Sequence, residues 1–324
     1  MNKVLYVTST YYHALIACVK QLLDRRTADM ICTDYIPLGG ELSERIRMSG
    51  LFDSAYYIEN IREYHAKNRL DFFLNLHRKN AELIESQLPL DFGCYREINV
   101  FHDDIWASHY LKDRRIKYRL IEDALDSFKF ISSSIFRYMI PERRFRSSIK
   151  NLFRVGYVFC GYDNCTYEVE VNDRNGVEIE SFASKKIVQV PRRAMFDRLS
   201  PEDIDILKNI FMKSIPDIDP ENSSLLLTQP LFVDGVVGSE KDQLSYYRKL
   251  IDINLSGERL VIKPHPRDLT DYSDTFPEAV ILDKNMPVEI LELTQNTGYR
   301  KLLSINSTSA GFIKAQKYIL METL

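Results

Sequence analysis

The chain opens on Lys3 to Ser9 (KVLYVTS), a run of apolar positions that predicts a strand buried on both faces. A polar turn at Thr8-Ser9-Thr10 gives way to an amphipathic helical pattern from Tyr11 to about Asp24. A second strand is expected at Ala28–Tyr35, and Gly39-Gly40 introduces a helix around Glu41–Met48. Tyr56–Ile58 reads as a short strand, and Ile61–Gln87 has helical periodicity with many charges. Ile98–Phe101 (INVF) and Tyr118–Ile121 (YRLI) are two further strands with a helix between them. This alternation predicts a parallel sheet with covering helices. Tyr157–Val190 carries β-type patterns (VFCGYD, VEIESF, KKIVQV) expected to complete that sheet.

Ser200-Pro201-Glu202-Asp203 is a helix start, with an N-cap serine, proline at the first helical position and acids in the first turn. That helix is expected to end near Lys213, and Pro216, Pro220, Asn222, Ser223 and Ser224 then form the clearest linker. A second α/β unit follows. Its expected strands are Leu225–Leu227, Leu260–Ile262, Ala279–Leu282 and Leu302–Ile305. Its expected helices run from Ser239 to about Ile253, from Pro287, and from the Asn306–Gly311 turn onward. The predicted fold class is therefore α/β, with two Rossmann-like domains facing a central cleft, and ligands are expected at the carboxyl ends of the strands.

Composition narrows the function. The 324 residues suit two medium domains, and the 45% hydrophobic and 27% charged fractions are those of a globular protein. A net charge of −3 gives no global basic field for nucleic acid. Five scattered cysteines suit a reducing compartment better than disulfides and have no zinc spacing. The first apolar run is broken by Thr8, Ser9, Thr10 and His13 and lacks a cleavage site, so it is not read as a signal peptide; nothing in the chain is long enough to span a membrane. Between Ser132 and Arg154, basic residues alternate with large apolar ones such as Phe136, Met139 and Phe153. Two readings stay open there: peripheral contact with an anionic membrane through 135–154, or a helical insertion whose cationic face is solvated or holds an acidic acceptor.

The candidate chemistry lies at strand ends. After Leu260-Val261-Ile262 comes Lys263-Pro264-His265-Pro266, where the two prolines stiffen an extended turn. Lys263 supplies charge for a phosphate, and His265 has a side chain that exchanges a proton near neutral pH. Ser307 and Thr308 follow another strand, where a helix start would favour an anion. Thr228 and Gln229 end a third strand on the same rim, and Glu289 after Pro287 is suited to ribose hydroxyls or to the helix dipole. In the first half, Glu122 and Asp123 end the YRLI strand, with Asp126 next, and paired carboxylates there suit a general base as well as helix capping. His13 and Thr10 lie on the rim of the first strand as candidate acceptor contacts, while His102-Asp103-Asp104 lacks a metal-binding spacing.

The set TSTYYHALIA, LIEDALDSF, LLLTQP, IKPHPRD and SINSTSAG, in this order along nearly the whole chain, resembles the bacterial sialyltransferases of glycosyltransferase family 52, the lipooligosaccharide and capsule family. The resemblance implies a GT-B fold, CMP-sialic acid as donor, an inverting reaction onto a terminal galactose, no metal or other cofactor, and a cytoplasmic location at the inner face of the membrane. It implies an acceptor-side domain over 1–195, a helix and linker over 196–222, and a CMP-binding domain over 223–324. By position, His265 with Pro266 matches the HP motif and its general acid, Ser307 and Thr308 match the phosphate-holding pair, and Glu122 and Asp123 match the two acids. Asp242 is a second candidate for the base. The chain departs from the family at Ala124, where glycine is usual, and a tight turn with positive φ would be costly there. Another nucleotide sugar as donor, or a non-catalytic member of the fold, remains the alternative; linkage, acceptor and a homodimeric state are not readable.

Overall fold

Apolar runs too short for helices become the inner strands of two parallel sheets. The computed structural model describes residues 3–59, 61–129, 157–175, 177, 186–213, 218–255, 257–295, 297–305 and 307–321, apart from the Thr308 side chain. The chain divides into two compact units, Met1–Asp203 and Ile204–Leu324, a break that falls within the stretch read as helix and linker.

In the first unit, β1 (Val4–Thr8) and β2 (Ala28–Thr33) are buried along their whole length, which accounts for their unbroken apolar character. With β3 (Ser54–Ile58), β4 (Glu97–Val100), β5 (Tyr118–Ile121), β6 (Thr166–Val171) and β7 (Ile187–Gln189) they form a parallel sheet in the order β3-β2-β1-β4-β5-β6-β7. The covering helices are α1 (Tyr11–Asp24), α2 (Gly39–Met48), α3 (Arg69–Glu85), α4 (Trp106–Asp113) and α5 (Arg192–Phe196), and α6 (Pro201–Phe211) crosses the break. Helix α1 starts where the Thr10 side chain accepts the His13 amide N–H at 3.1 Å. Because β2 and β4 flank β1, the connections leaving β1 and β4 diverge, and their carboxyl ends frame a topological switch point.

The second unit has β8 (Ser223–Leu227), β9 (Arg259–Lys263), β10 (Val280–Ile281), β11 (Tyr299–Ile305) and β12 (Ala315–Met321) in the order β10-β9-β8-β11-β12, again all parallel. Helices α7 (Glu240–Asn254) and α8 (Val288–Leu293) complete it. The core between sheet and helices gathers Leu226, Tyr247, Leu250, Ile262, Tyr272, Leu303 and Ile305. Here β8 is flanked by β9 and β11, so the switch point lies past Leu227 and Ile305.

Five expectations change. Ser223 and Ser224, expected in the linker, are the buried first residues of β8, paired with Arg259 and Leu260. Helix α3 begins at Arg69, not Ile61: the Tyr64 N–H donates to Asn80 Oδ1 (3.1 Å) and the Arg62 N–H to Gln87 Oε1 (3.2 Å), so the preceding residues run back along the helix. VFCGYD is not a strand. Cys160 and Gly161 have left-handed backbone (φ 57° and 75°), and their N–H groups donate to the Asp103 carboxylate at 3.0 Å each. The helix expected after Asn306 is a short 3₁₀ turn, Thr308–Phe312, followed by the edge strand β12. A Cβ on Gly298 would lie 3.0 Å from the Lys314 carbonyl, so glycine lets β11 and β12 start side by side. Finally, Ala124 does not occupy the left-handed turn position, which falls to Asp126 (φ 58°). The basic stretch 135–154 and most of VEIESF lie outside the described residues. Among the described residues, no helix is long and apolar enough to cross a membrane.

Candidate active site

The first unit presents its chemistry past β5. Glu122 and Asp123 are adjacent, and the alternation of an extended chain sends them to opposite environments. Glu122 is 1% exposed; its carboxylate accepts the Asn172 N–H at 2.7 Å and the Phe128 N–H at 3.4 Å. Burial raises its pKa, while these amides and the Arg192 charge oppose the rise. Glu122 therefore ties the loop after β5 to the end of β6.

Asp123 keeps a side chain 52% exposed, with Oδ1 2.7 Å from His13 Nε2. His13 is fully buried and stacks on Phe101 at 4.8 Å between centroids. Its Nδ1 accepts the Ser9 N–H at 3.2 Å, so in the neutral ring the proton sits on Nε2, which also lies 2.8 Å from the Asp123 carbonyl. Desolvation pushes the Asp123 pKa up, but the His13 hydrogen bond and the attraction of His13 and His102 outweigh it and hold the group below its usual value. An exposed, ionised carboxylate of fixed orientation at a switch point has what a general base needs. Asp126 is engaged elsewhere, with Oδ1 accepting from Asn172 Nδ2 at 2.8 Å.

In the second unit the HP turn follows β9, and His265 is half-buried on it. The His265 N–H donates to Thr228 Oγ1 at 3.2 Å, and the Thr228 hydroxyl donates to Asp268 Oδ2 at 3.0 Å. Asp268 is buried and also accepts from Tyr272 OH (2.7 Å), Gln243 Nε2 (3.0 Å) and the Thr270 N–H (3.0 Å). His265 Nδ1 accepts the Arg267 N–H at 3.1 Å, which leaves the neutral-ring proton on Nε2. Burial, with the nearby Arg267 and Lys263 charges, lowers the His265 pKa to about 4, so the ring is neutral at pH 7. It offers a directed N–H to an anion, and a bound anion would draw its pKa up.

Several expected ligand contacts prove to be structural. Lys263 is buried, and its ammonium donates to the Pro264 (2.8 Å) and Lys284 (2.9 Å) carbonyls, so it braces the turn rather than facing a phosphate. Desolvation lowers its pKa to about 8 against the attraction of Asp283 and Glu289. Glu289 is itself buried, and desolvation raises its pKa to about 7. Thr228 is committed to Asp268 and His265, and both backbone groups of Gln229 bond the Tyr247 hydroxyl (2.6 and 3.0 Å). Pro266 is exposed beside His265. Asp242 belongs to a helix cap: Ser239 Oγ donates to its carboxylate at 2.7 Å and accepts its N–H at 3.1 Å. Ser307 heads the 3₁₀ turn without a side-chain cap bond, so its hydroxyl is not used by the turn. Thr308 opens that turn, and its side chain lies outside the described residues.

The sequence left one working residue unassigned: Asp268, whose four donors only the fold reveals. His13 was a candidate acceptor contact, but its ring is buried behind Asp123; the aromatic Phe101 at the end of β4 was the one available signal. Among the described residues, no group of three or more His, Cys, Asp or Glu is arranged to hold a metal ion.

The chain is similar to several known proteins. An uncharacterized protein of Haemophilus influenzae (strain ATCC 51907 / DSM 11121 / KW20 / Rd) is 34% identical over 117 residues, which spans 36% of this chain and 37% of that relative. The crystal structure of an alpha/beta-galactoside alpha-2,3-sialyltransferase from the luminous marine bacterium Photobacterium phosphoreum superimposes over 98% of this chain and 90% of its own. The TM-score is 0.55 at 11% identity, a likeness of the GT-B-type fold with its two Rossmann-like parallel sheets. A UDP-GlcNAc 2-epimerase of Methanocaldococcus jannaschii aligns over 95% of this chain and 79% of its own, at a TM-score of 0.47 and 13% identity. Residues 53–317, most of the chain and including the β5 acids, the HP turn and Ser307-Thr308, match the model of glycosyltransferase family 52, and the chain belongs to that family.

Proposed function

We propose that this glycosyltransferase moves sialic acid from CMP-sialic acid to a terminal galactose of a bacterial surface glycan, with inversion. Asp123 takes the proton of the acceptor hydroxyl, whose oxygen attacks the anomeric carbon as the bond to the phosphate oxygen breaks. The bound donor phosphate draws His265 up to its imidazolium form, which gives its Nε2 proton to the departing phosphate and returns to the neutral ring, and Ser307 and Thr308 hold the phosphate. Glu289, suited to the ribose by its place in the sequence, is buried and is left out of this mechanism. What carries the reading is the pairing of chemistries within one family-52 chain: an exposed aspartate fixed by a buried imidazole at β5, and an imidazole with a directed Nε2–H after β9. The alpha-2,3-sialyltransferase of the same fold supports the choice of donor. Lys263 and Asp242 leave the mechanism, since the turn and the helix cap engage them.

Hydrogen-bond donors at the rim take the place of a divalent ion, so turnover is expected to persist in EDTA. The test is incubation with CMP-sialic acid and a lactoside, following CMP release and the sialylated product. Asp123→Ala and His265→Ala should each lower turnover by about 10²–10⁴. Consumption of a different nucleotide sugar, with CMP-sialic acid untouched, would replace the donor assignment.

A further inference from the structure

The His13–Asp123 pair has the geometry of a catalytic dyad turned inside out: the imidazole is fully buried and the carboxylate is the exposed partner. Three contacts fix the ring. The Ser9 N–H at the end of β1 saturates Nδ1 at 3.2 Å, Phe101 at the end of β4 stacks on one face, and Nε2 meets Oδ1 of Asp123 at 2.7 Å. Thr10 caps the helix that carries His13, so the ring's position is set by the first turn of α1. A fully buried histidine that cannot touch solvent, aimed at the exposed acid of the site, gains nothing as a substrate contact.

We propose that His13 is a positioning residue for Asp123, its Nε2–H fixing the rotamer of the carboxylate that abstracts the proton. The proposal rests on the reading of Asp123 as the base. The lowered pKa of Asp123 agrees with it: desolvation opposes the shift, and His13, with a contribution from His102, produces it. The other carboxylate of the motif, Glu122, faces Asn172 and Phe128 and does not share this donor. One lone pair of Oδ1 is held by Nε2–H while the carboxylate stays half open, so the base is aimed without being covered.

The experiment compares His13→Phe, which keeps a flat ring against Phe101 but has no donor, with His13→Gln, which restores an N–H near the Nε2 position. His13→Phe should lower kcat by about tenfold or more with little change in acceptor KM. It should also raise the Asp123 titration midpoint, read by carbon NMR on labelled aspartate, and His13→Gln should recover most of both effects. The double variant with Asp123→Ala should lose no more than Asp123→Ala alone, because residues acting as a unit are not additive. An unmoved Asp123 midpoint in folded His13→Phe, or additive losses, would overturn the proposal. Nitrogen NMR of His13 in the unaltered protein is a check independent of any variant: an Nδ1–H tautomer would equally overturn it. If Asp123→Ala keeps most of its turnover, the assignment of the base fails instead, while the NMR titrations still decide whether His13 controls Asp123.

Discussion

Glu289 links the stability of the second unit to pH in a way one substitution isolates. Its carboxyl is buried beside the Lys263 ammonium, and desolvation raises its pKa from 4.5 to about 7. Between those values the unfolded chain has released the proton and the folded chain still holds it. The folded state therefore binds more protons, and stability falls as pH rises through this window. A difference of about 2.5 units at about 1.36 kcal/mol per unit makes the loss about 3 kcal/mol. Lys263 adds a separate window: its pKa is lowered to about 8 from 10.5, so stability recovers as pH climbs between those two values. Glu289→Gln keeps the shape and removes the titration. Urea unfolding followed at several pH values between about 5 and 8 should show a free energy that declines by about 3 kcal/mol in the parent and stays nearly flat in the variant. Parallel curves would refute the raised pKa of this buried carboxyl. A raised donor KM with unchanged slopes would return Glu289 to the ribose contact.

Three further outcomes are expected. His265 should titrate near about 4 in the free protein and move up when CMP is added, because a phosphate favours the imidazolium; proton NMR of its ring reads both, and a free value near the ordinary 6.5 would contradict the charge and burial around it. Asp242→Ala should cost about 0.5–1 kcal/mol through the α7 cap and leave turnover within about twofold, whereas a loss of about a hundredfold would return it to the role of base. Ala124→Gly should not stabilise the protein, since Ala124 is not in the left-handed region, and thermal unfolding with a gain of about 1 kcal/mol would show that the turn is strained.

The inner strands were legible because burial on both faces leaves an unbroken apolar signature, as in LYV and LLL, and each falls where that run predicts. The end of β9 was legible too, since the prolines after Lys263 cannot continue the ladder. What stayed hidden depends on contacts between distant residues. The Ser307 turn looked like a helix start because serine and threonine cap helices, yet pairing of β12 with β11 draws the chain into a strand. Lys263 reads as a free cation in one dimension, and only the placement of the Lys284 carbonyl shows where its ammonium goes. Asp123 and Glu122 are indistinguishable in sequence; alternation along the chain, with Asn172 on one side and His13 on the other, gives them different work.

The cations around the HP turn have a kinetic consequence. Arg267 is paired with Asp234 at 2.7 Å, and the buried Lys263 ammonium lies in the field of the Asp283 carboxylate, so much of the positive charge here is offset locally. The neighbouring 3₁₀ turn adds no long helix dipole. A rim built this way projects little field into solvent. In the proposed reaction an anionic donor would then arrive by ordinary diffusion, without long-range attraction. Its association rate should respond weakly to added salt, in contrast to sites that draw their anions in from a distance.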